Sequence, residues 1–325
     1  MNKEPQTDLP LLEAIIPEQG AGMRVDKVLA QLCPEYSRAR LQQWIKQGHV
    51  RIDGEIRRPR DSVQGGEQVI IFPQVTAQNM FIAEPIPLER IHEDAHILVI
   101  NKPAGLVVHP AAGNWQGTLL NALLHHFPEL EFIPRAGIVH RLDKDTSGLM
   151  VVARTLQAHH HLVGELQHRR VQREYLALVQ GCRIAGGTVN SNLGRHPVHR
   201  KRFAVVDAGK PAVTHYRLAQ RFRHHTLLRV RLETGRTHQI RVHLAHIGHP
   251  LVGDPLYGGR QRVPPQASAS LLNELRGFDR QALHAMTLGL THPSTGERMD
   301  WHSSLPADMA RLLEALCDDE ARFAV

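Results

Sequence analysis

The sequence predicts an α+β protein folded in two parts. Two observations indicate the class: some segments repeat apolar residues at i, i+3, i+4 and i+7, and others run apolar or alternate over a few residues. A third indicates the division: Pro73, Pro85 and Pro87 punctuate a sparsely apolar interval over 73–88 that reads as a linker. A chain of 325 residues exceeds the usual single domain, and its 42% hydrophobic share is ample for a real core.

Residues 1–22 form a polar lead, Lys3 against Glu4, Asp8, Glu13 and Glu18, expected to be extended or partly ordered. From Arg24, the spacing of Val25, Val28, Leu29 and Leu32 predicts a short helix stopped before Pro34. Ser37 then caps a second helix with Leu41, Trp44 and Ile45 on its apolar stripe, and Gly48 suits a left-handed C-terminus. Arg38 and Arg40 flank that stripe, with Lys46 towards the opposite side. Val50 and Ile52 lead into Asp53-Gly54, a hairpin turn signal, with Arg57, Arg58 and Arg60 on the next arm and an apolar strand from Glu67 to Phe72.

The long part opens with a strand at His96–Ile100, a turn at Asn101–Gly105 and a second strand at Leu106–Val108. Thr118 caps a helix through Leu119, Leu120, Leu123 and Leu124. Leu156, Leu162, Val163 and Leu166 share one side of another helix. Arg173–Val179 is strand-like, with Tyr175 readable as a core aromatic. Leu228, Val230 and Leu232 alternate with charged residues, and a turn at Thr234 feeds a helix with Ile240, Leu244 and Ile247 inward and His238 and Arg241 on an adjacent face. Ala282–Ala285 is a strand, and Met309, Leu312, Leu313 and Leu316 mark a terminal helix.

Charge points to a polyanion. The formal net charge is +7, and residues 195–243 hold twelve Lys/Arg against Asp207 and Glu233 alone. So dense an excess repels itself unless a partner such as nucleic acid uses it. Cys33, Cys182 and Cys317 suit neither a disulfide framework nor a thiolate metal site, and no metal is expected, since the 23 histidines lack ligand spacing. Without a signal peptide or a membrane-length apolar run, the expectation is a soluble cytoplasmic protein with no membrane partner.

The polar loop His140-Arg141-Leu142-Asp143-Lys144-Asp145-Thr146-Ser147-Gly148-Leu149 lies between apolar strand-like runs, Ile138-Val139 and Leu149–Ala153. Asp143 and Asp145 suit turn capping as well as chemistry. The run His-Arg-Leu-Asp-x-x-Thr-Ser-Gly-Leu resembles the signature of the RluA-type pseudouridine synthases. The likeness extends from Asn101-Lys102-Pro103 to Trp301-His302. The two helices followed by Val-x-Ile-Asp-Gly resemble the S4 RNA-binding domain.

These resemblances imply an N-terminal S4 domain over 23–72, a linker over 73–88, a catalytic domain over 89–306 with a mixed, largely antiparallel sheet and a central basic cleft, and a helix and tail over 307–325. The implied reaction converts uridine to pseudouridine in RNA without a cofactor. Asp143 matches the family's catalytic aspartate, Tyr175 the tyrosine under the base, and Arg241 the basic residue that pairs with the aspartate. Arg38, Arg40 and Lys46 are expected on phosphates, and His140, Arg141, Arg236, His238 and Gln239 on RNA or around the pocket. Three blocks, Pro134–His140, Gly209–Tyr216 and His249–Pro255, point within the family to synthases of large-subunit (23S) ribosomal RNA, so the expected partner is that RNA or a pre-ribosomal particle, bound by a monomer. A sister synthase acting on tRNA or other ribosomal sites, and an RNA-binding ribosome assembly factor, stand as alternatives.

Overall fold

The structure is a computed structural model that describes residues 11–33, 36, 38–72, 81–110, 114–182, 184–199, 202–260 and 262–323. It divides into two compact units, residues 1–80 with 131–134, and residues 81–130 with 135–325. The expected Ser37 cap, the Pro34 stop, residues 1–10 of the lead and residues 73–80 of the linker lie outside the described residues.

The N-terminal unit is built from β1 (Leu12–Ile15), α1 (Val25–Leu32), α2 (Arg38–Lys46), β2 (Val50–Ile52) and β3 (Gln68–Ile71). Part of the presumed lead is a sheet strand, since β1 pairs antiparallel with β3 from Leu12↔Ile71 to Ile15↔Gln68. The apolar stripes of both helices bury Val25, Leu29, Leu41, Trp44 and Ile45 against Ile52 and Val69. Gly48 has φ +79°, as its place after α2 demands, and Asp53-Gly54 turns with both φ positive. The arm after that turn is not a strand: β2 pairs with β3 instead, and Arg57 donates to Glu67 at 2.7 Å.

Asp26 ties the two helices together. Its carboxylate is fully buried and accepts two bonds from Arg24 at 3.0 Å, two from Arg38 at 3.1 and 2.9 Å, and one from Gln42. Burial alone would raise its pKa, but these donors hold it below the usual carboxylate value.

The second unit contains β4 (Glu89–Glu93), β5 (Ile97–Lys102), α3 (Leu119–His126), β6 (Ser147–Ala153), α4 (Leu156–Gln167), β7 (Gln172–Gln180), β8 (Gly187–Arg195), β9 (Phe203–Val205), β10 (Lys210–Arg221), β11 (His225–Leu232), α5 (Gln239–His246), α6 (Ala269–Gly277), β12 (Leu283–Thr291), β13 (Arg298–His302) and α7 (Ala307–Ala321). Ten strands form one sheet in the order β4-β5-β6-β12-β7-β11-β10-β8-β9, with β13 also on β12. The sheet is mixed and largely antiparallel, as expected, with one parallel pairing, β12 to β6.

Three expectations change here. Leu106–Val108 and Ile138–Val139 contribute single bridges, Val107↔Thr118 and Ile138↔Val152, rather than strands. Residues 81–88 pack against α3, where Asn121 donates to the Ile82 carbonyl at 2.7 Å and Glu84 accepts from the Gly117 N–H at 2.8 Å. The expected terminal helix is α7, and its Met309, Leu312 and Leu316 share a core with Leu271, Leu275 and Phe278. The Thr118 cap holds and forms a capping box with Asn121. Among the described residues no helix is long and apolar enough to cross a membrane.

Part of the histidine excess is interior. His225, His243 and His284 are at most 1% exposed, and burial pushes each from 6.5 to about 4. They add no charge to the basic segment near neutral pH. Their folded pKa values lie below the unfolded value, so the stability they support is complete above 6.5 and is lost as pH falls towards 4. Each contributes about 1.4 kcal/mol per pH unit in that window. The melting temperature is therefore expected to fall progressively from about pH 6.5 to about pH 5, which thermal unfolding across that range measures; a level profile would contradict the assignment.

Candidate active site

Sheet register gathers the site. Ser147↔His284 and Gly148↔Ala285 join the start of β6 to β12, and Ala285↔Tyr175 joins β12 to β7. Val230↔Tyr175 adds β11, whose end runs through residues 233–238 into α5. The loop before β6, the middle of β7 and the first turn of α5 thus converge. Gly148 makes the approach possible: its φ is +116°, and a Cβ there would lie 2.3 Å from the Ala285 carbonyl oxygen.

A cavity of about 820 Å³ opens where they meet, lined by Asp143, Tyr175, Arg173, His238 and Arg241 among others. This is ample for a nucleotide-sized ligand. Asp143 reaches it from the turn closed by Thr146 N–H to the Asp143 carbonyl at 3.1 Å. Its Oδ2 accepts from Arg241 Nη1 at 3.0 Å. Its Oδ1 has no donor within hydrogen-bond reach among the described residues; His238 Nε2 stands 4.0 Å away.

Arg241 is 4% exposed and is held from behind. Asp254 accepts its Nε at 2.7 Å and its Nη2 at 2.9 Å, a bidentate pair. Asp254 Oδ1 also takes the N–H groups of Leu256 at 2.9 Å and Tyr257 at 3.0 Å. Burial disfavours charge on both partners, but Asp254 and Asp143 hold the Arg241 guanidinium above its usual pKa, and Arg241 with these N–H groups holds Asp254 below its own.

The turn at Asp254 delivers Tyr257 to His238. The Phe203 N–H donates to the Tyr257 hydroxyl oxygen at 2.9 Å, and that hydroxyl lies 2.9 Å from His238 Nδ1. The hydroxyl can give its proton to Nδ1 or accept one from it, so either tautomer of the neutral imidazole fits this contact. Burial lowers the His238 pKa, against the pull of Asp143, which favours that neutral form. His238 itself has φ +56° at the head of α5. Tyr175 is 5% exposed, and burial pushes its hydroxyl pKa up, so it stands as a neutral phenol.

Two buried cations grip the Asp143 loop by its backbone. Lys102 Nζ donates to the carbonyls of Pro103 at 2.7 Å, Leu106 at 2.9 Å and Lys144 at 2.8 Å. Burial pushes its pKa down to about 7, while three carbonyl acceptors call for the three N–H groups of the ammonium form. Arg280, bidentate on Asp308 at 2.6 and 2.9 Å, also donates to the Asp145 carbonyl at 3.1 Å. Gln281 donates to Thr146 Oγ1 at 3.1 Å.

Of the residues singled out from sequence, Asp143, Tyr175, Arg241, Arg141, Arg236 and His238 all border this cavity. Gln239 and His140 also line it, with side chains engaged in the fold. Gln239 is 3% exposed: Nε2 donates to Val213 O and Thr214 Oγ1, each at 3.0 Å, while Oε1 accepts from Thr234 and the Arg236 N–H. His140 Nε2 accepts from the Val151 N–H at 3.1 Å, its Nδ1 is buried without a partner, and burial pushes its pKa down to about 3. Arg236 is exposed but donates to the Pro211 carbonyl at 3.2 Å. Arg38, Arg40 and Lys46 belong to the N-terminal unit; Arg38 is paired with Asp26, Arg40 lies 5.8 Å from the centre of the Trp44 ring, and Lys46 is exposed. Sequence reasoning missed Asp254, Tyr257, Lys102, Arg280 and Arg173; Asp254 at least stood in the block His249–Pro255. Among the described residues no cluster of three or more His, Cys, Asp or Glu could hold a metal.

Comparison with known proteins fits this geometry. The RNA pseudouridylate synthase model matches residues 96–246, and the S4 domain model matches residues 23–69. The chain is 57% identical to the ribosomal large subunit pseudouridine synthase D of Pseudomonas aeruginosa, over 98% of this chain and 99% of that protein. It is 53% identical to the protein of that name from Escherichia coli K12, over 95% of each. Among solved structures, human RNA pseudouridylate synthase domain containing 4 superposes with a TM-score of 0.55 at 25% identity, covering 70% of this chain and 93% of that one. Full-length likeness at this identity, together with both domain matches, places the chain in the RNA pseudouridylate synthase family, with an S4 RNA-binding domain at its N-terminus.

Proposed function

We propose that this enzyme isomerises uridines to pseudouridine in large-subunit ribosomal RNA, as a cytoplasmic monomer acting on the RNA or on a pre-ribosomal particle, with Asp143 as the reacting carboxylate. One observation carries the assignment. Asp143 presents an unengaged oxygen, Oδ1, to a nucleotide-sized cavity while its other oxygen is fixed by Arg241. The names of the relatives supply the substrate class.

The reaction breaks the N1–C1′ bond and forms a C5–C1′ bond; the base leaves with the bonding electrons, C5 loses its proton, and N1 is protonated in the product. Composition is unchanged, so no oxidant or co-reactant is called for. The enzyme must hold the uridine out of its stack with the sugar against Asp143 Oδ1. Tyr175 supplies a buried ring on the cavity wall for the base, and His238 places Nε2 beside the same carboxylate oxygen. Arg141, exposed at the cavity edge, suits the displaced strand, and Arg236 the phosphates around it. In the S4 unit, Arg40, Lys46 and the outward part of Arg38 suit phosphate contacts without base choice.

Asp143→Asn is expected to bind RNA and form no product, and to stay folded because Arg241 remains neutralised by Asp254. The measurement is pseudouridine mapping by chemical labelling and primer extension on unmodified large-subunit ribosomal RNA and on immature subunits. Product from the variant would remove Asp143 from the chemistry, and no product from wild type on either substrate would remove the substrate assignment. Asp254→Asn should behave differently. It strips a buried cation of its bidentate partner, with a cost of about 3–5 kcal/mol in denaturant unfolding, and lets Arg241 and Asp143 shift, lowering kcat by roughly 10²-fold.

A further inference from the structure

Arg173 is a buried arginine of the cavity whose chemistry the site leaves unused. It lies on β7 two residues before Tyr175, so strand alternation places both side chains on one face, about 7 Å apart along the strand. Both line the cavity. Arg173 is 8% exposed, and its Nε is buried without an acceptor. Among the described residues no carboxylate or carbonyl is within reach of its guanidinium. The other arginines of the cavity contrast with it: Arg241 has Asp143 and Asp254, Arg169 has Glu233, Arg236 has the Pro211 carbonyl, and Arg135 and Arg141 are exposed to solvent. Space is also kept for this group. A Cβ on Gly235 would stand 2.9 Å from Arg173 Nη1, so the bare glycine leaves the guanidinium room.

We infer that Arg173 is the seat of an oxyanion subsite that takes a backbone phosphate of the nucleotide whose base lies against Tyr175. This deepens the reading of the cavity as a uridine site in RNA and rests on it. Burying a cation without a partner destabilises the free protein in the absence of compensation. The structure keeps that cation at the wall of a cavity for an anionic polymer, where a ligand supplies the missing charge. A uracil carbonyl offers only a dipole. A phosphodiester offers a full negative charge and two oxygens that match the guanidinium fork. The spacing along β7 suits the separation between a base and its own phosphate.

Two measurements test this. The first uses the free protein and needs no RNA. If the guanidinium waits for a ligand, Arg173→Met relieves an unpaired charge and should raise the melting temperature by about 2–4 °C; a structural role for Arg173 predicts a fall. The second compares wild type, Arg173→Met and Arg173→Lys on a fragment of large-subunit ribosomal RNA with its natural linkages, and on fragments with one uncharged methylphosphonate on the 5′ or the 3′ side of the modified uridine. On natural RNA, Arg173→Met should bind about 10- to 100-fold more weakly than wild type, with Arg173→Lys between them. At one of the two methylphosphonate positions wild type should fall to the level of Arg173→Met, closing that gap. A lowered melting temperature, or a gap that survives undiminished at both positions, overturns the inference. Failure of the substrate assignment looks different: wild type itself forms no pseudouridine on the fragment, and the melting-temperature result still decides whether Arg173 is an unsatisfied cation.

Discussion

The site depends on a buried ion pair that stands behind Asp143. Asp254 binds Arg241 through two hydrogen bonds and takes two backbone N–H groups of its own turn. Arg241 is thereby fixed with its third nitrogen, Nη1, on Asp143. Burying charges is costly and is offset only when every donor and acceptor is engaged. That condition is met on the Asp254 side. The same turn positions Tyr257, whose hydroxyl lies 2.9 Å from His238 Nδ1 and whose ring lies 5.1 Å from the Arg241 guanidinium carbon. One carboxylate therefore organises the arginine, the Tyr257–His238 contact and the orientation of Asp143.

A carboxylate held in place at the end of a loop also needs a rigid loop. Lys102 and Arg280 hold the carbonyls of Lys144 and Asp145, and Gln281 holds Thr146, so the backbone on the C-terminal side of Asp143 is pinned by side chains from β5 and from the approach to β12. The sheet makes this possible. The parallel pairing of β6 with β12, short as it is, brings the loop to within one strand of Tyr175. An active site of this kind places polar groups on its elements and lets a packed scaffold supply the precision.

The legibility of the chain follows the range of the interactions. Helices α1, α2, α3, α4 and α7 rest on local periodicity, and the Thr118 cap and the Gly48 terminus on neighbours a few residues away; all were readable. The strand assignments that failed were short. Leu106–Val108 makes a single bridge, Val107↔Thr118, and β2 pairs with β3 in place of the arm after Gly54, pairings that depend on residues outside each stretch. Asp143, Tyr175 and Arg241 were legible through a family motif. The hydrogen bonds of Gln239 to Val213 and Thr214, and of His140 to Val151, were not legible, because those partners lie elsewhere in the chain.

By itself the sequence determined the class, the two-part organisation, the basic character, the motif with its aspartate and the family resemblance, because these reside in composition, local periodicity and contiguous residues. Only the tertiary structure decided which charges are partnered. Arg241 and Asp254 lie thirteen residues apart and Arg241 and Asp143 ninety-eight, and Lys102 meets Lys144 across forty-two. Such pairings depend on strand order and register, which no single stretch of chain encodes. Arg173 stands at the same boundary. In the sequence it is one arginine among many, and only the burial of its guanidinium without an acceptor, beside Tyr175, distinguishes it from a solvated surface charge.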